Sequence, residues 1–197
     1  EWNRADIAGH SLWGKISVIF FTSAASRTAG FNVIDFNLMS TPAIMVTLLL
    51  MYVGGSPGST AGGIKTTTFA LAALNIFATA RGRRRVEFAG REISDFSIRR
   101  AFATIVLSLI FLGLAVTVVA SLEPRIPLMA VAFECFSAYA TVGQSMGITA
   151  QLGEDSRLFL VMVMFIGRVS GLTLLVSVLR QVTVAPYRYP KEDILIN

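Results

Sequence analysis

A glycine-rich stretch, Gly54-Gly55-Ser56-Pro57-Gly58-Ser59-Thr60-Ala61-Gly62-Gly63, interrupts what would otherwise be one long apolar helix. Ala43 to Val53 precede it and Thr67 to Ala80 follow, both mostly apolar. At a rise of ~1.5 Å per residue the first run reaches about 16 Å, roughly half the ~30 Å hydrocarbon core of a bilayer. The break therefore falls near mid-membrane. Irregular backbone is tolerated there only where protein buries it or it lines an aqueous cavity. The stretch is a candidate gate or binding element in a transport protein.

Composition fits a membrane chain, with 54% hydrophobic and only 15% charged residues, against ~25% charged in soluble domains. No secretory signal is visible at the polar start Glu-Trp-Asn-Arg-Ala-Asp, and the first residue is not Met. The stretch reads as the C-terminal part of something larger. Arg81, Arg83, Arg84, Arg85, Arg91, Arg99 and Arg100 fall in one connection between apolar runs. In a soluble protein they would suggest a nucleic-acid patch. Here the positive-inside rule accounts for them, places loop 81–100 and the C-terminus in the cytoplasm, and brings the arginines to anionic lipid headgroups. Cys135 is the single cysteine and reads as a small buried hydrophobe; His10 is the single histidine, so a His-based metal site is excluded within this chain.

Five apolar segments are predicted: Ser11 to Phe31, Ala43 to Ala80 with its break, Ile98 to Leu122, Leu128 to Ile148 and Leu158 to Val184. Ile98 to Leu122 is the cleanest transmembrane helix and stops before Pro124. Ser11–Phe31 and Leu128–Ile148 begin as helices but turn small and polar too early to cross. A half-membrane helix followed by a Thr/Gly-rich extended piece is how a re-entrant pore helix and filter would read; a poor spanning helix is the plainer alternative. Internal repetition favours the first. Shifting the chain by 113 residues lays Phe20 on Phe133, Ala25 on Ala138, Thr28 on Thr141 and Gly30 on Gly143. The same shift lays Val53-Gly54 on Ile166-Gly167 and Gly58 on Gly171, so each half is expected to end in a spanning helix interrupted at one depth. The expected fold class is an all-α polytopic membrane protein of tandem repeats.

A permeating cation must exchange its hydration shell for protein oxygens. Backbone carbonyls do this without fixed charge, and small residues allow the dihedrals that turn several the same way. Thr28-Ala29-Gly30-Phe31 and Thr141-Val142-Gly143-Gln144 suit that role, and neither holds a carboxylate of the kind a Ca²⁺ ring would need. The break itself must be set against a phosphate-binding loop. Gly58-x4-Gly63 is followed by Ile64 and only then by Lys65-Thr66, so the lysine comes one place late. A movable plug is the better interpretation, with Lys65 as a snorkelling anchor, a carbonyl partner or a brake on cations. Arg168 lies far inside the last apolar segment, where an arginine is costly and faces a bundle interior or water. It is a candidate electrostatic barrier below the filter, the alternative being an ion pair with another helix. Glu134 is expected to orient the filter rather than touch the ion.

Ser26-Arg27-Thr28-Ala29-Gly30-Phe31-Asn32, the run Gly54 to Thr68, Ala140-Thr141-Val142-Gly143-Gln144-Ser145-Met146-Gly147-Ile148-Thr149 and Phe165-Ile166-Gly167-Arg168 together resemble the Trk/Ktr/HKT superfamily of potassium transporters, most of all the Ktr-type membrane subunit. The resemblance implies a potassium-channel-like fold of four M1–pore-loop–M2 repeats with one key glycine per filter, and potassium uptake across the plasma membrane by channel-like permeation. Residues 1–97 would then hold the third pore helix, filter and broken M2, and residues 98–197 the fourth repeat and cytoplasmic tail. Gly30 and Gly143 would be the third and fourth filter glycines. Gly54, Gly55, Ser56, Gly58, Ser59, Thr60, Gly62, Gly63 and Lys65 would form the intramembrane gate loop, and Arg168 the arginine that meets it. The resemblance further implies K⁺ at the filter carbonyls, sodium-stimulated uptake, no cofactor in this subunit, a homodimer, and a cytosolic ring of nucleotide-binding (RCK-type) regulatory subunits. The first two repeats and the third M1 helix, roughly 250 residues by the repeat length, would precede this stretch. Gln144 departs from the pattern, standing where an apolar residue is expected. Two other classes stay open: an ion-coupled carrier whose broken helices hold a solute at mid-membrane, and a membrane-embedded nucleotide-dependent enzyme.

Overall fold

The computed structural model describes residues 5–59, 61–83 and 85–169. Seven helices follow in order: α1 (Ala5–Ala8), α2 (Leu12–Ala25), α3 (Thr41–Tyr52), α4 (Thr66–Ala80), α5 (Asp95–Leu122), α6 (Leu128–Tyr139) and α7 (Glu154–Val169). Among the described residues only α5 is long and apolar enough to cross a membrane. Its 28 residues reach about 42 Å, more than a bilayer core. Ser94 caps it by accepting from the Ser97 amide, Asp95 lies in its first turn, and Pro124 follows its end.

α6 is the centre of the molecule. Val131, Phe133 and Cys135 are fully buried, and α6 is packed among α3, α5 and α7. Phe133 stacks at 4.8 Å on Phe36, from a short 3₁₀ turn at Phe36–Leu38, and Tyr139 lies 5.7 Å from Phe111 of α5. Tyr52, at the end of α3, reaches α5 through its hydroxyl, to the Ile105 carbonyl at 3.1 Å and Ser108 Oγ at 2.8 Å. α2, the repeat counterpart of α6, buries only Thr22 and Ala25 and exposes Trp13, Phe20 and Phe21. A face of that kind is built for lipid or more protein, not water.

The 113-residue repeat is visible in the backbone. α2 and α6 each end in a turn with Thr and Gly at positive φ: Thr28 (71°) and Gly30 (75°), Thr141 (54°) and Gly143 (88°). α3 and α7 start at matched positions, Thr41 and Glu154. One expectation needs correction. α7 runs unbroken through Gly167 and Arg168 to Val169, so the interruption at Gly54 has no counterpart at Gly167; Gly171 lies outside the described residues. Gly167 serves helix packing instead. The basic connection also carries a small hairpin, β1 (Glu87–Phe88) with β2 (Arg91–Glu92), turned by Ala89 and Gly90 at φ 50° and 75°.

Glu123 pins the α5–α6 connection to the start of α7. Its Oε1 accepts from the Gly153 amide at 2.6 Å and from Ser156 Oγ at 2.9 Å. The Gly153 amide, and after it the Ser156 hydroxyl, hold this carboxyl below its usual pKa. Because the folded value is depressed, the stabilisation is complete above the ordinary carboxylate pKa and fades as pH falls through the lowered one. Glu123→Gln should lower the thermal midpoint slightly at neutral pH. The difference from wild type should vanish in acid that protonates Glu123, as read by melting curves at both pH values.

Candidate ion filter and gate

Each pore loop begins where its helix ends. After α6, Ala140, Thr141 and Val142 donate their amides back to Phe136, Ala138 and Ser137 carbonyls. After α2, Ala29 and Gly30 both donate to the Ala25 carbonyl. The chain then turns left-handed at Thr, a conformation β-branched residues rarely adopt. Such strain costs on the order of 1–3 kcal/mol per residue and collects at functional sites.

The two turns meet. A methyl group on Gly30 would come within 2.8 Å of the Val142 carbonyl oxygen, and one on Gly143 within 3.4 Å of Gly30 Cα. Just beyond the glycines, two side chains cross between the loops at matched positions. Asn32 Nδ2 donates to the Ser145 carbonyl at 2.7 Å, and Gln144 Nε2 donates to the Phe31 carbonyl at 3.1 Å. Gln144, the departure from the family pattern, is thus a cross-brace. Its Oε1 is buried and without a hydrogen-bond partner among the described residues.

The loop after α6 has a polar support at positions whose matches before the loop after α2 are apolar. Glu134 Oε1 accepts from the Ser145 hydroxyl and from Thr149 Oγ1, the latter at 3.1 Å, while Ser137 Oγ donates to the Gln144 carbonyl at 2.5 Å. At the matched places before the loop after α2 stand Phe21 and Ala24. Glu134 therefore braces the loop, and a cavity of about 510 Å³ beside this support is lined by Ser137, Thr141, Gly143 and Gln144.

The glycine-rich loop leaves α3 and returns to α4 through a clasped root. Gly54 N donates to the Ile64 carbonyl at 2.8 Å, Ile64 N to the Tyr52 carbonyl at 3.3 Å and Thr66 N to the Gly55 carbonyl at 3.1 Å. Inside the loop Lys65 Nζ donates to the Ala61 carbonyl at 2.5 Å and the Ser59 carbonyl at 3.3 Å, so the lysine is a carbonyl partner. Ser56 accepts the Ser59 amide, and Gly58 turns at φ 82°; Thr60 lies outside the described residues. The loop rests on the base of the turn after α6. Gly62 N donates to Thr141 Oγ1 at 2.8 Å, and a methyl on Gly63 would lie 3.3 Å from Ala140 Cβ.

α7 reaches the same place from another side. A methyl on Gly167 would overlap the Tyr139 carbonyl oxygen, and Arg168 follows it in the chain. The turn after α6, the glycine-rich loop and α7 thus converge on Tyr139–Thr141. Asn32, Ser137, Tyr139 and Ser145 were not singled out from sequence. Asn32 and Ser145, whose bond spans 113 residues, carry no local pattern that joins them.

The sequence matches the family model described as "TrkH: Cation transport protein" over residues 11–183. It is 38% identical to the potassium/sodium uptake protein NtpJ of Enterococcus hirae, across 100% of this chain and 45% of that protein. It is 36% identical to the Ktr system potassium uptake protein D of Bacillus subtilis, across 100% of this chain and 43% of that protein. The chain spans less than half the length of these relatives. The crystal structure of the potassium transporter TrkH from Vibrio parahaemolyticus superposes with a TM-score of 0.73 at 17% identity, covering 86% of this chain and 38% of that one. Its fold, of helical M1–pore-loop–M2 repeats, is the fold found here. With that architecture and a family match over most of its length, the chain belongs to the TrkH family of membrane cation transport proteins.

Proposed function

We propose that this chain supplies the third and fourth pore-loop repeats of a potassium uptake transporter that conducts by channel-like permeation. The carrying observation is the pair of left-handed Thr-x-Gly turns, Thr28–Gly30 and Thr141–Gly143, held in contact and cross-braced by Asn32 and Gln144. Such turns offer carbonyl oxygens to a dehydrated cation without fixed charge. Thr28, Ala29, Gly30 and Phe31 with Thr141, Val142, Gly143 and Gln144 make two sides of the filter. The greater length of the relatives leaves room for two more. The Gly54–Gly63 loop with Lys65 is the gate, and Arg168 adds a fixed positive charge beside it. K⁺ as the cargo is supported by relatives named for potassium uptake. Sodium activation, a homodimer, a nucleotide-binding cytosolic ring, and a plasma-membrane topology with loop 81–100 and the C-terminus in the cytoplasm complete the proposal.

The test is Rb⁺ uptake by the full-length protein in lipid vesicles, driven by a Rb⁺ gradient alone. Uptake should persist with a protonophore, and Arg168→Gln should raise it. Loss of uptake with the protonophore would favour an ion-coupled carrier, and unchanged flux in a well-folded Arg168→Gln would remove the barrier role.

A further inference from the structure

We propose that the Thr141 hydroxyl is the latch that holds the gate loop shut against the fourth pore loop. The inference rests on the gating role given to the loop above and adds what it closes onto. Thr28 and Thr141 share a residue type, a repeat position and a left-handed backbone, yet their hydroxyls do different things. Thr28 Oγ1 donates to the carbonyl of its own neighbour, Arg27, at 2.6 Å. Thr141 Oγ1 accepts the Gly62 amide, 79 residues away, at 2.8 Å.

Bonds at the root and within the loop hold its shape. The bond to Thr141 reaches another repeat. The loop backbone is shaped for it: a methyl on Gly62 would fall 2.8 Å from Thr141 Cγ2 and 2.9 Å from both Thr141 Oγ1 and the Tyr139 carbonyl. Only glycine can bring its amide this close. Glycine at position 141 would also take the left-handed turn without strain, but it has no oxygen to offer. The Thr141 side chain supplies the oxygen that the Gly62 amide reaches. Moving the loop must break that bond, so Thr141 couples the state of the gate to the base of the filter.

The test measures Rb⁺ flux through full-length protein in phosphatidylethanolamine–phosphatidylglycerol vesicles. It compares wild type, Thr141→Val, Thr141→Ser and a variant lacking residues 56–62. Losing one hydrogen bond should raise the flux of Thr141→Val by about three- to tenfold. Thr141→Ser, which returns the oxygen, should run at least roughly threefold below the valine variant. In the loop-deleted background the Thr141→Val increase should be at least roughly threefold smaller than with the loop present, because no loop remains to release. Valine flux equal to wild type overturns the latch. So does a valine effect of the same size with and without the loop, since Thr141 would then act within the filter alone. If deleting the loop fails to raise flux at all, the gating role itself falls.

Discussion

Gly167→Ala is expected to abolish uptake and to destabilise the protein by roughly 3 kcal/mol, at the upper end of what an added methyl does in a packed interior. The cause is the neighbour's nature. The methyl would overlap the backbone carbonyl oxygen of Tyr139, which cannot swing aside as a side-chain tip can. Relief requires α7 to move away from α6. Small residues at such crossings let helix backbones approach in membranes, where packing replaces the hydrophobic effect as the force between helices. Tyr139 lies two residues before Thr141, so the displacement passes directly into the proposed filter and the place where the glycine-rich loop docks. Melting curves and Rb⁺ uptake of the full-length variant check this. A wild-type midpoint with wild-type flux would show that the crossing has slack.

Replacing Gly30 and Gly143, the glycines of the proposed filter, is expected to cost selectivity before stability. At φ 75° and 88°, Gly30 and Gly143 hold conformations that cost an L-residue roughly 1–2 kcal/mol. Gly30→Ala adds a clash 2.8 Å from the Val142 carbonyl oxygen, whereas Gly143→Ala meets Gly30 Cα at an ordinary 3.4 Å. Both should lower discrimination of K⁺ over Na⁺, by about tenfold for each 1.4 kcal/mol of lost preference. Gly30→Ala should be the more severe because it also pushes on a neighbouring carbonyl. Paired Rb⁺ and ²²Na⁺ uptake measures the ratio. Equal effects would mean that the dihedral alone sets the cost.

Patterns carried by the chain itself were legible in sequence. Broken hydrophobicity located the loop, and α3 and α4 end and begin where Val53 and Thr67 suggested, within a residue or two. The 113-residue self-similarity predicted two matched turns, and both Thr-x-Gly pairs adopt positive φ. The repeat misled at Gly167. A shared glycine was taken as a shared interruption, but the two have different causes: Gly54 sits in a clasped loop root, Gly167 in a close helix crossing. Identity in an alignment of halves does not say which neighbour made glycine necessary. Cross-repeat bonds such as Asn32 to Ser145 and Gly62 to Thr141 were invisible for a related reason, since each joins residues whose local sequence gives no sign of the other. Glu134 was readable because a carboxylate in an apolar helix demands an explanation on its own.

The clasp at the root of the glycine-rich loop separates two properties that a simple helix ties together. In an unbroken span, each inserted residue shifts every later side chain by about 100° and lengthens the crossing. Here the bonds joining Tyr52, Gly54 and Gly55 to Ile64 and Thr66 fix where one half-helix stops and the other starts. Residues added or lost between Ser56 and Gly58 change the bulk that the loop presents while leaving both half-helices in register, as exposed loop tips generally permit. Under the proposed gating role, the size of the loop and the depth of the break thus become independent variables. A lineage of such proteins could retune leakiness through a few loop residues without rebuilding the pore wall.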